Sequence, residues 1–582
     1  MATPGPARSQ ESALRKLWFA ALIAAAAAVV TVAVPVIAGE NKATTAAKSE
    51  NAAEQTASRV LPSHRPGKTT TAKPGTTKPK TTATTAPPKK PGTTTTPTRK
   101  PTATPTKPVE PTIPKPPVVD SDEAGPAVAG PCVGTVIKPG QDAQSIVNSK
   151  PAGTTFCFAA GVHRISDTIR PKANQVLASA QRAVLTGSVP LTGWARSGSA
   201  WVVRGALPPA YGKSGECEDN KSNICYLREQ LFLDGTHLTR VASVAAVKAG
   251  TFYADYAANA IYLGSNPAGH AVEMSKTATA IESGATGVAV RGLTIEHFAS
   301  APQAGALVSG PGWKVTANDV RWNHAVGVML VKANSTKVDK NLIHHNGQLG
   351  LGQYSSAAAA VTRNVISSNN TDGFWIADWE SGGIKSTRSS GTVSGNVIKS
   401  NKGIGMWADV ADDGRVISDN QIVGNAADGI RYEISRNGTI EGNTVTGNGF
   451  GTGRGSGTSL WDGGGINVNT STGVTIKGNR VSGNVNGVTI QSRTRGSGPW
   501  GTYLLRDVQV SGNTIEMTGG TQATGMVQNS GAAVPAGEVV FSGNKYVLDD
   551  LGTQRFARFG TKLTAAGWRE AGLDTVGSFL AN

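Results

Sequence analysis

Along the second half of the chain the polar and apolar positions follow one short phrase. An Asn followed by an apolar pair recurs in TANDVRWN, DKNLIHHN, TRNVISSN, SGNVIKSN, SDNQIVGN, EGNTVTGN, KGNRVSGN and SGNTIEM. The first Asn of each phrase is Asn318, Asn341, Asn364, Asn396, Asn420, Asn443, Asn479 and Asn513, at intervals of 23, 23, 32, 24, 23, 36 and 34. A minimal period of 23 with occasional additions marks a solenoid whose insertions fall in loops. After most phrases comes a Gly and an alternating stretch (GVMLV, GFWIA, GMWADV, GIRYEIS, GINVN, GVTIQ), so each unit holds two or three short strands between turns. One such coil cannot bury its apolar face alone, but stacking at about 4.8 Å per rung pairs every strand above and below. An Asn at the same turn of every coil is then placed to bond its side-chain amide to the next, so these residues read as architecture rather than chemistry.

The rhythm is different before residue 318. Residues 141–149 (QDAQSIVNS) predict a short amphipathic helix, with hydrophobic strands following near 155–158 and 175–185. Residues 194–272 carry longer strands (EQLFLDG, GTFYADYAANAIYLG) between Asp-Gly and Asn turns, which predicts an inserted antiparallel β module. Residues 564–571 (TAAGWREA) predict a final helix. Helices at the two ends would shield the first and last rungs from edge-to-edge pairing.

These repeats, the inserted module and the closing segment resemble right-handed parallel β-helix proteins of the pectate-lyase-like superfamily, over residues 132–582. The resemblance implies an all-β fold, a solenoid of about 23-residue coils with terminal capping helices. It also implies kinship with secreted polysaccharide lyases, glycoside hydrolases, epimerases and members of unassigned activity. It does not choose the reaction, because the repeats encode stacking and function is grafted onto the stack.

Composition places this domain in the cell. The net charge of +17 is concentrated: residues 59–119 hold twelve Lys or Arg against one acid, Glu110. That stretch belongs to a Thr/Pro/Lys-rich region, 40–126, which predicts a disordered, semi-extended stalk. The rest is mildly basic without a basic helix or zinc-finger spacing, so nucleic acid is not expected as a partner. Residues 17–38 (LWFAALIAAAAAVVTVAVPVIA) are an uncharged run of 22 preceded by Arg8, Arg15 and Lys16. That length spans a bilayer and the cations keep residues 1–16 inside. It predicts a single-pass membrane anchor, or a cleaved signal and a secreted protein, with the rest outside the cell either way. Four cysteines agree with an oxidising compartment, and nearest-neighbour pairing gives Cys132–Cys157 and Cys217–Cys225 among three connectivities. Neither pair has CxxC spacing, and no metal site is assigned.

Alternation gives a map of the repeat surface. Met406 and Ala408 point in and Trp407 and Asp409 out; Ile430 and Tyr432 point in and Arg431 and Glu433 out. The same register puts Trp375 outward on the preceding rung and Asn467 and Asn469 outward on the following one. Two columns result: Trp375, Trp407, Arg431, Asn467, and Ala377, Asp409, Glu433, Asn469. Asp378, Trp379 and Glu380 continue into a loop, followed by Lys385 and Arg388. Sugars stack C–H faces on Trp and hydrogen-bond to carboxylates and guanidinium, so this face predicts a saccharide groove on a polysaccharide or cell-wall glycan. The binding candidates are Trp375, Trp379, Lys385, Trp407 and Arg431.

The catalytic candidates are Asp378, Glu380, Asp409 and Glu433. Neighbouring rungs put Asp409 and Glu433 about 5 Å apart, while Asp378 or Glu380 lies two rungs, roughly 10 Å, from Glu433. The wider gap suits an inverting glycosidase, with Asp409 between the pair raising the acid's pKa. The competing chemistry is β-elimination or C5 epimerisation of a uronate, with Arg431, Lys385 and Arg388 neutralising its carboxylate. No cofactor is predicted for hydrolysis; Ca²⁺ on Asp378, Glu380 and Asp409 belongs to the lyase reading. A monomeric, non-catalytic surface adhesin is the rival outside enzymes. His344 and His345 read as turn polarity, and His297 and His324 have no partner visible in the sequence. GxSxG, P-loop and HExxH motifs are missing from the chain.

Overall fold

Each repeat turns three times because three short apolar stretches are separated by polar corners. Lys337–Asp339, Leu342–His344 and Leu349–Tyr354 are the strands of one such coil. The next coil pairs with all three in parallel and in register, Val338 opposite Val361, Ile343 opposite Ile366 and Leu351 opposite Ile384. Propagated along the chain, this gives three sheets of 13, 13 and 12 strands, parallel except where Thr561–Leu563 ends the third with an antiparallel pair. The computed structural model describes residues 130–208, 224–451, 463–519, 523–528, 534 and 537–582. The architecture is a parallel β-helix. Its interior is a set of stacked aliphatic columns, for example Leu351, Ile384, Met406, Ile430, Ile466 and Val488, all essentially inaccessible to water. Each such side chain contributes about 1.5–3 kcal/mol of burial.

The corners are held by amides. In one ladder the side-chain N–H of Asn318 donates to Asn341 Oδ1, and the pattern runs unbroken through Asn364, Asn396, Asn420, Asn443, Asn479 and Asn513 to Asn544, at 2.9–3.0 Å per step. A second ladder uses the last Asn of the same phrases, Asn323, Asn346, Asn369, Asn401, Asn425, Asn448 and Asn484, at 2.8–3.0 Å. The first ladder was legible from spacing; the second was not drawn from it. Beside the second ladder runs a column of glycines. A Cβ on Gly405 would sit 2.6 Å from Gly429 O and 2.9 Å from the Asn425 amide, and Gly327, Gly350, Gly383, Gly429 and Gly465 are equally crowded. The rungs stack this closely only because those side chains are missing.

Helix Ala143–Ser149 covers the first rungs, capped by Asp142, whose carboxylate accepts from Ser145 N. Helix Ala565–Glu570 covers the last, capped by Thr564, with Trp568 fully buried against Phe541 and Phe556. Between the first coils and the regular repeats, the chain builds two further sheets. One holds Ser188–Pro190, Leu231–Leu233, Thr236–His237 and Val272–Ser275. The other holds Ala195–Ser197, Ala200–Arg204, Thr239–Arg240, Thr251–Asp255 and Ala260–Leu263, antiparallel but for one pair. Cys132 and Cys157 are disulfide-bonded. Cys217, the 17–38 run and the 40–126 stretch lie outside the described residues. Among those described, no helix is long and apolar enough to cross a membrane.

Candidate functional site

The extra residues of the longer coils are not scattered. One insertion separates Val365–Ser367 from Gly382–Thr387, another Thr444–Thr446 from Gly464–Asn469, and a third Asn486–Ser492 from Arg506–Ser511. All three border the same sheet, the third of the helix, over five consecutive rungs. A solenoid needs no extra chain for stability, so loops gathered at one face mark where function is carried.

The register of that face corrects one expectation. GFWIA is not a strand of the sheet. Trp375 lies in the first insertion, and the rung before Trp407 is supplied by Gly382–Thr387, with Lys385 opposite Trp407 and Thr387 opposite Asp409. The glycine column shows why: Asn369 is followed by its stacking glycine only at Gly383, because the insertion intervenes. One outward column is therefore Gly352, Lys385, Trp407, Arg431 and Asn467, and the other Tyr354, Thr387, Asp409, Glu433 and Asn469. Ala377 does not belong to the second column. Trp375 and Trp379 instead stack on each other at 6.2 Å and pack with Phe374, Ile224 and Cys225. They hold the loop rather than offer a sugar platform.

The face is also closed, not open to water as a groove would be. Glu380, Asp409 and Glu433 are 4%, 2% and 2% exposed, and Lys385 and Trp407 are buried. Burying carboxylates demands partners, and each has one. The Lys385 ammonium bonds to Glu380 and lies 3.1 Å from Asp409 Oδ2, while sitting 3.8 Å over the Trp407 ring. Arg431 pairs with Asp428 at 2.5 Å, stands 5.2 Å from the same ring and reaches the backbone O of Asp378. Glu433 accepts from Arg495 at 2.6 Å and from the Asn469 amide at 3.0 Å. The Tyr503 hydroxyl is pushed above its ordinary pKa by burial and by the Asp409 charge. The Trp407 ring, expected to stack on sugar, is faced by two cations.

Of the predicted site residues, the fold brings Glu380, Lys385, Trp407, Asp409, Arg431 and Glu433 into one cluster. It places Asp378 there through its backbone, and sets Trp375 and Trp379 behind it. Arg388 is on the adjoining turn, its backbone N–H donating to Val410 O at 3.0 Å. Sequence reading missed Asp428, Arg495 and Tyr503. Asp428 precedes the Gly429 of the column and was visible as a charge three residues before Arg431; the other two sit in a loop without a repeat signature. Among the described residues no group of three His, Cys, Asp or Glu side chains is placed to hold a metal ion. Glu380 and Asp409, suggested as cation ligands, share the Lys385 ammonium between them.

Residues 304–464 and 382–550 match the family model for the right-handed β-helix region. The match spans residues 304–550, and the fold of the described residues is that of a right-handed parallel β-helix. Among solved structures, this β-helix protein is similar to a complex of XylC with xylose, with a TM-score of 0.54 at 13% identity, covering 76% of this chain and 83% of that one. The A-module of an Azotobacter vinelandii mannuronan C-5 epimerase gives 0.36 at 13% identity over 78% and 98% of the two chains. An alginate lyase from Paenibacillus sp. str. FPU-7 gives 0.29 at 13% identity over 71% and 95%. At 13% identity the likeness to the XylC complex is one of fold. No curated protein matches the sequence.

The β-helix carries a second polar concentration, where its N-terminal half meets the inserted sheets. A cleft of about 70 Å³ is lined by Glu229, Gln230, His237, Arg240, Phe252, His324, Asp372 and Phe374. Glu229 is ion-paired with Arg240 and accepts from Tyr256. His237 Nε2 lies 3.6 Å from Asp372 and 3.2 Å from Gln230 Nε2. The histidines without visible partners in the sequence find them here: His297 stacks on Phe232 at 3.5 Å, and His324 Nδ1 meets Ser300 O at 2.9 Å. Burial lowers their pKa values to about 3 and about 4. His344 and His345, read from the sequence as turn polarity, meet through their Nδ1 atoms at 2.6 Å, and His345 stacks on Trp322.

Proposed function

We propose that this β-helix protein acts on a polysaccharide outside the cell by hydrolysing a glycosidic bond at the Asp409–Glu433 pair. The observation that carries the reading is the register: Trp407 opposite Arg431 and Ala408 opposite Tyr432 place Asp409 and Glu433 in one column on neighbouring rungs. Rung spacing of about 4.8 Å then matches the roughly 5–5.5 Å of a retaining glycosidase rather than the wider inverting gap. Asp409, beside the Lys385 ammonium, attacks the anomeric carbon. Glu433 is held by Arg495, whose loop covers the pair. Substrate entry displaces that guanidinium, and Glu433 then gives a proton to the leaving oxygen. Water then hydrolyses the glycosyl-Asp409 ester with Glu433 as base.

Lyase or epimerase chemistry fits less well. It needs free positive charge for a uronate carboxylate, and Lys385 and Arg431 already bond to Glu380, Asp409 and Asp428. The disulfide supports an extracytoplasmic site, and we assign residues 17–38 as anchor or cleaved signal with 40–126 as stalk. The test is reducing-end release from neutral and acidic polysaccharides by the full chain, against Asp409→Asn and Glu433→Gln. Loss of release in both variants, with glycan binding kept, supports the reading. Glycan binding with no turnover on any substrate would make it an adhesin, and an unsaturated uronate product would make it a lyase.

A further inference from the structure

The third insertion bordering the carboxylate face folds as a hairpin. Ser497–Gly498 pairs antiparallel with Gly501–Thr502, which leaves Pro499 and Trp500 as a two-residue turn. The hairpin is stiff within itself. Tyr503 N donates to Gly496 O at 3.0 Å, and a Cβ on Gly498 would fall 1.9 Å from the Tyr503 hydroxyl. Its two feet are fixed to the helix: Arg493 N donates to Thr470 Oγ1 at 2.9 Å, Thr472 Oγ1 donates to Leu504 O at 2.8 Å, and Leu505 is buried. Between the feet, side chains fasten it down. Arg495 bonds to Glu433 at 2.6 Å, and the guanidinium carbon of Arg436 sits 4.1 Å over the Trp500 ring at the tip. Arg436 belongs to the helix rather than the hairpin, and its Nε and Nη2 both donate to Asp413 Oδ2, at 3.0 and 2.8 Å.

Closure carries a cost that opening relieves. Among the described residues, Nη2 of Arg495 is buried without a hydrogen-bond partner, and a stranded guanidinium N–H has given up its water without replacement. The tip is already in solvent, with Ser497, Pro499, Gly501 and Thr502 exposed. A stiff segment on fixed feet, held down by a few side chains, opens as a unit. It covers groups that water does not reach, since Asp409 and Glu433 are each 2% exposed. We infer that residues 494–503 are a lid over the Asp409–Glu433 column, latched by Trp500 on Arg436. That the lid gates a reaction rests on the reading of Asp409 and Glu433 as the reacting pair; that it opens rests on these contacts alone.

The experiment is carbodiimide coupling of glycine ethyl ester to the carboxylates of the full chain, followed residue by residue with peptide mass spectrometry. Label enters Asp409 and Glu433 through the open form, at a rate proportional to its population. Both should label far more slowly than Asp167, whose side chain is 66% exposed. Trp500→Ala removes the latch and should speed both about two- to fivefold, the worth of one exposed cation–π contact. Asp167 should be unchanged, and Asp412, wholly inside the helix, should stay slow. Arg436→Gln should act alike, and it carries the test if circular dichroism shows that Trp500→Ala does not fold. Labelling of Asp409 and Glu433 as fast as Asp167 in the unaltered chain, or rates unmoved by both variants, would overturn the lid. So would an equal rise at Asp412, which marks general loosening. Faster labelling in a chain that hydrolyses no polysaccharide would support the lid and overturn the reaction proposed for the pair.

Discussion

Truncating one ladder amide, Asn420→Ala, removes four hydrogen bonds at once. Asn396 N and Asn396 Nδ2 lose their acceptor at 3.0 and 2.9 Å, and Val393 O and Asn443 Oδ1 each lose a donor at 2.9 Å. Some partners retain alternatives. Asn396 Nδ2 still reaches Val361 O and Ser394 O, and Asn443 Oδ1 still accepts from the backbone of residue 420. The Asn396 backbone N–H and the side-chain interaction with Val393 O are what go unreplaced, in a corner closed to water. At about 1–3 kcal/mol for a stranded buried group and about 1 kcal/mol for each bond merely lost, the cost is about 3–5 kcal/mol. Gln421→Ala, at an exposed strand position one residue on, should stay within about 0.5 kcal/mol. Urea denaturation followed by circular dichroism gives the difference. A stacked solenoid opens locally, so amide exchange should rise first in the rungs holding Asn396 and Asn443. A destabilisation below about 1 kcal/mol, or exchange rising uniformly along the domain, would refute the ladder as the source of rung cohesion.

Other outcomes follow from buried charge. Asp412 and Arg415 form an ion pair wholly inside the helix, with Asp412 also accepting from Ser389 N at 2.7 Å. Arg415→Met should cost about 3–5 kcal/mol in chemical denaturation, and pairing it with Asp412→Asn should recover part of that loss; equal losses for single and double variants would contradict it. Asp574 ends the first ladder, accepting from Asn544 Nδ2 at 2.7 Å and from Tyr546 at 2.8 Å. Asp574→Ala should speed exchange in the last rung and leave the central rungs unchanged. His297 and His324 titrate in the folded state near 3 and 4, below the unfolded value of about 6.5. The unfolded chain thus takes up protons first, and stability present above pH 6.5 falls as pH drops towards 4. The slope is about 1.4 kcal/mol per pH unit for each histidine. His345 is lowered to about 4 as well, so His297→Phe, placed to stack on Phe232, should flatten the slope without abolishing it, and a stability curve flat between pH 6.5 and 4 would refute the assignment.

The sequence carried the coil, the first Asn ladder and the neighbouring-rung placement of Asp409 and Glu433, because these repeat and a period can be read. It misplaced Trp375, because GFWIA imitates a strand: a Gly followed by alternation also describes a loop that packs a Trp on Phe374. The interval of 32 between Asn364 and Asn396 held the correction, and Gly383, the residue a stacked rung sterically requires, fixed it. Closure of the face could not be read at all. Arg495 and Tyr503 reach Glu433 and Asp409 from a loop with no period, and Lys385 joins Glu380 to Asp409 only once the insertion folds back. The cleft beside the inserted sheets depends on Arg240, His324 and Asp372, residues far apart in the chain, coming together.

The most direct measurement is proton NMR of the first sugar released when the full chain hydrolyses a polysaccharide, with Asp409→Asn and Glu433→Gln run beside it. Retention of anomeric configuration, with release lost in both variants, is the predicted result. Inversion would transfer the chemistry to the wider Glu380–Glu433 pair, and undiminished release by Glu433→Gln would contradict the assignment of this face altogether.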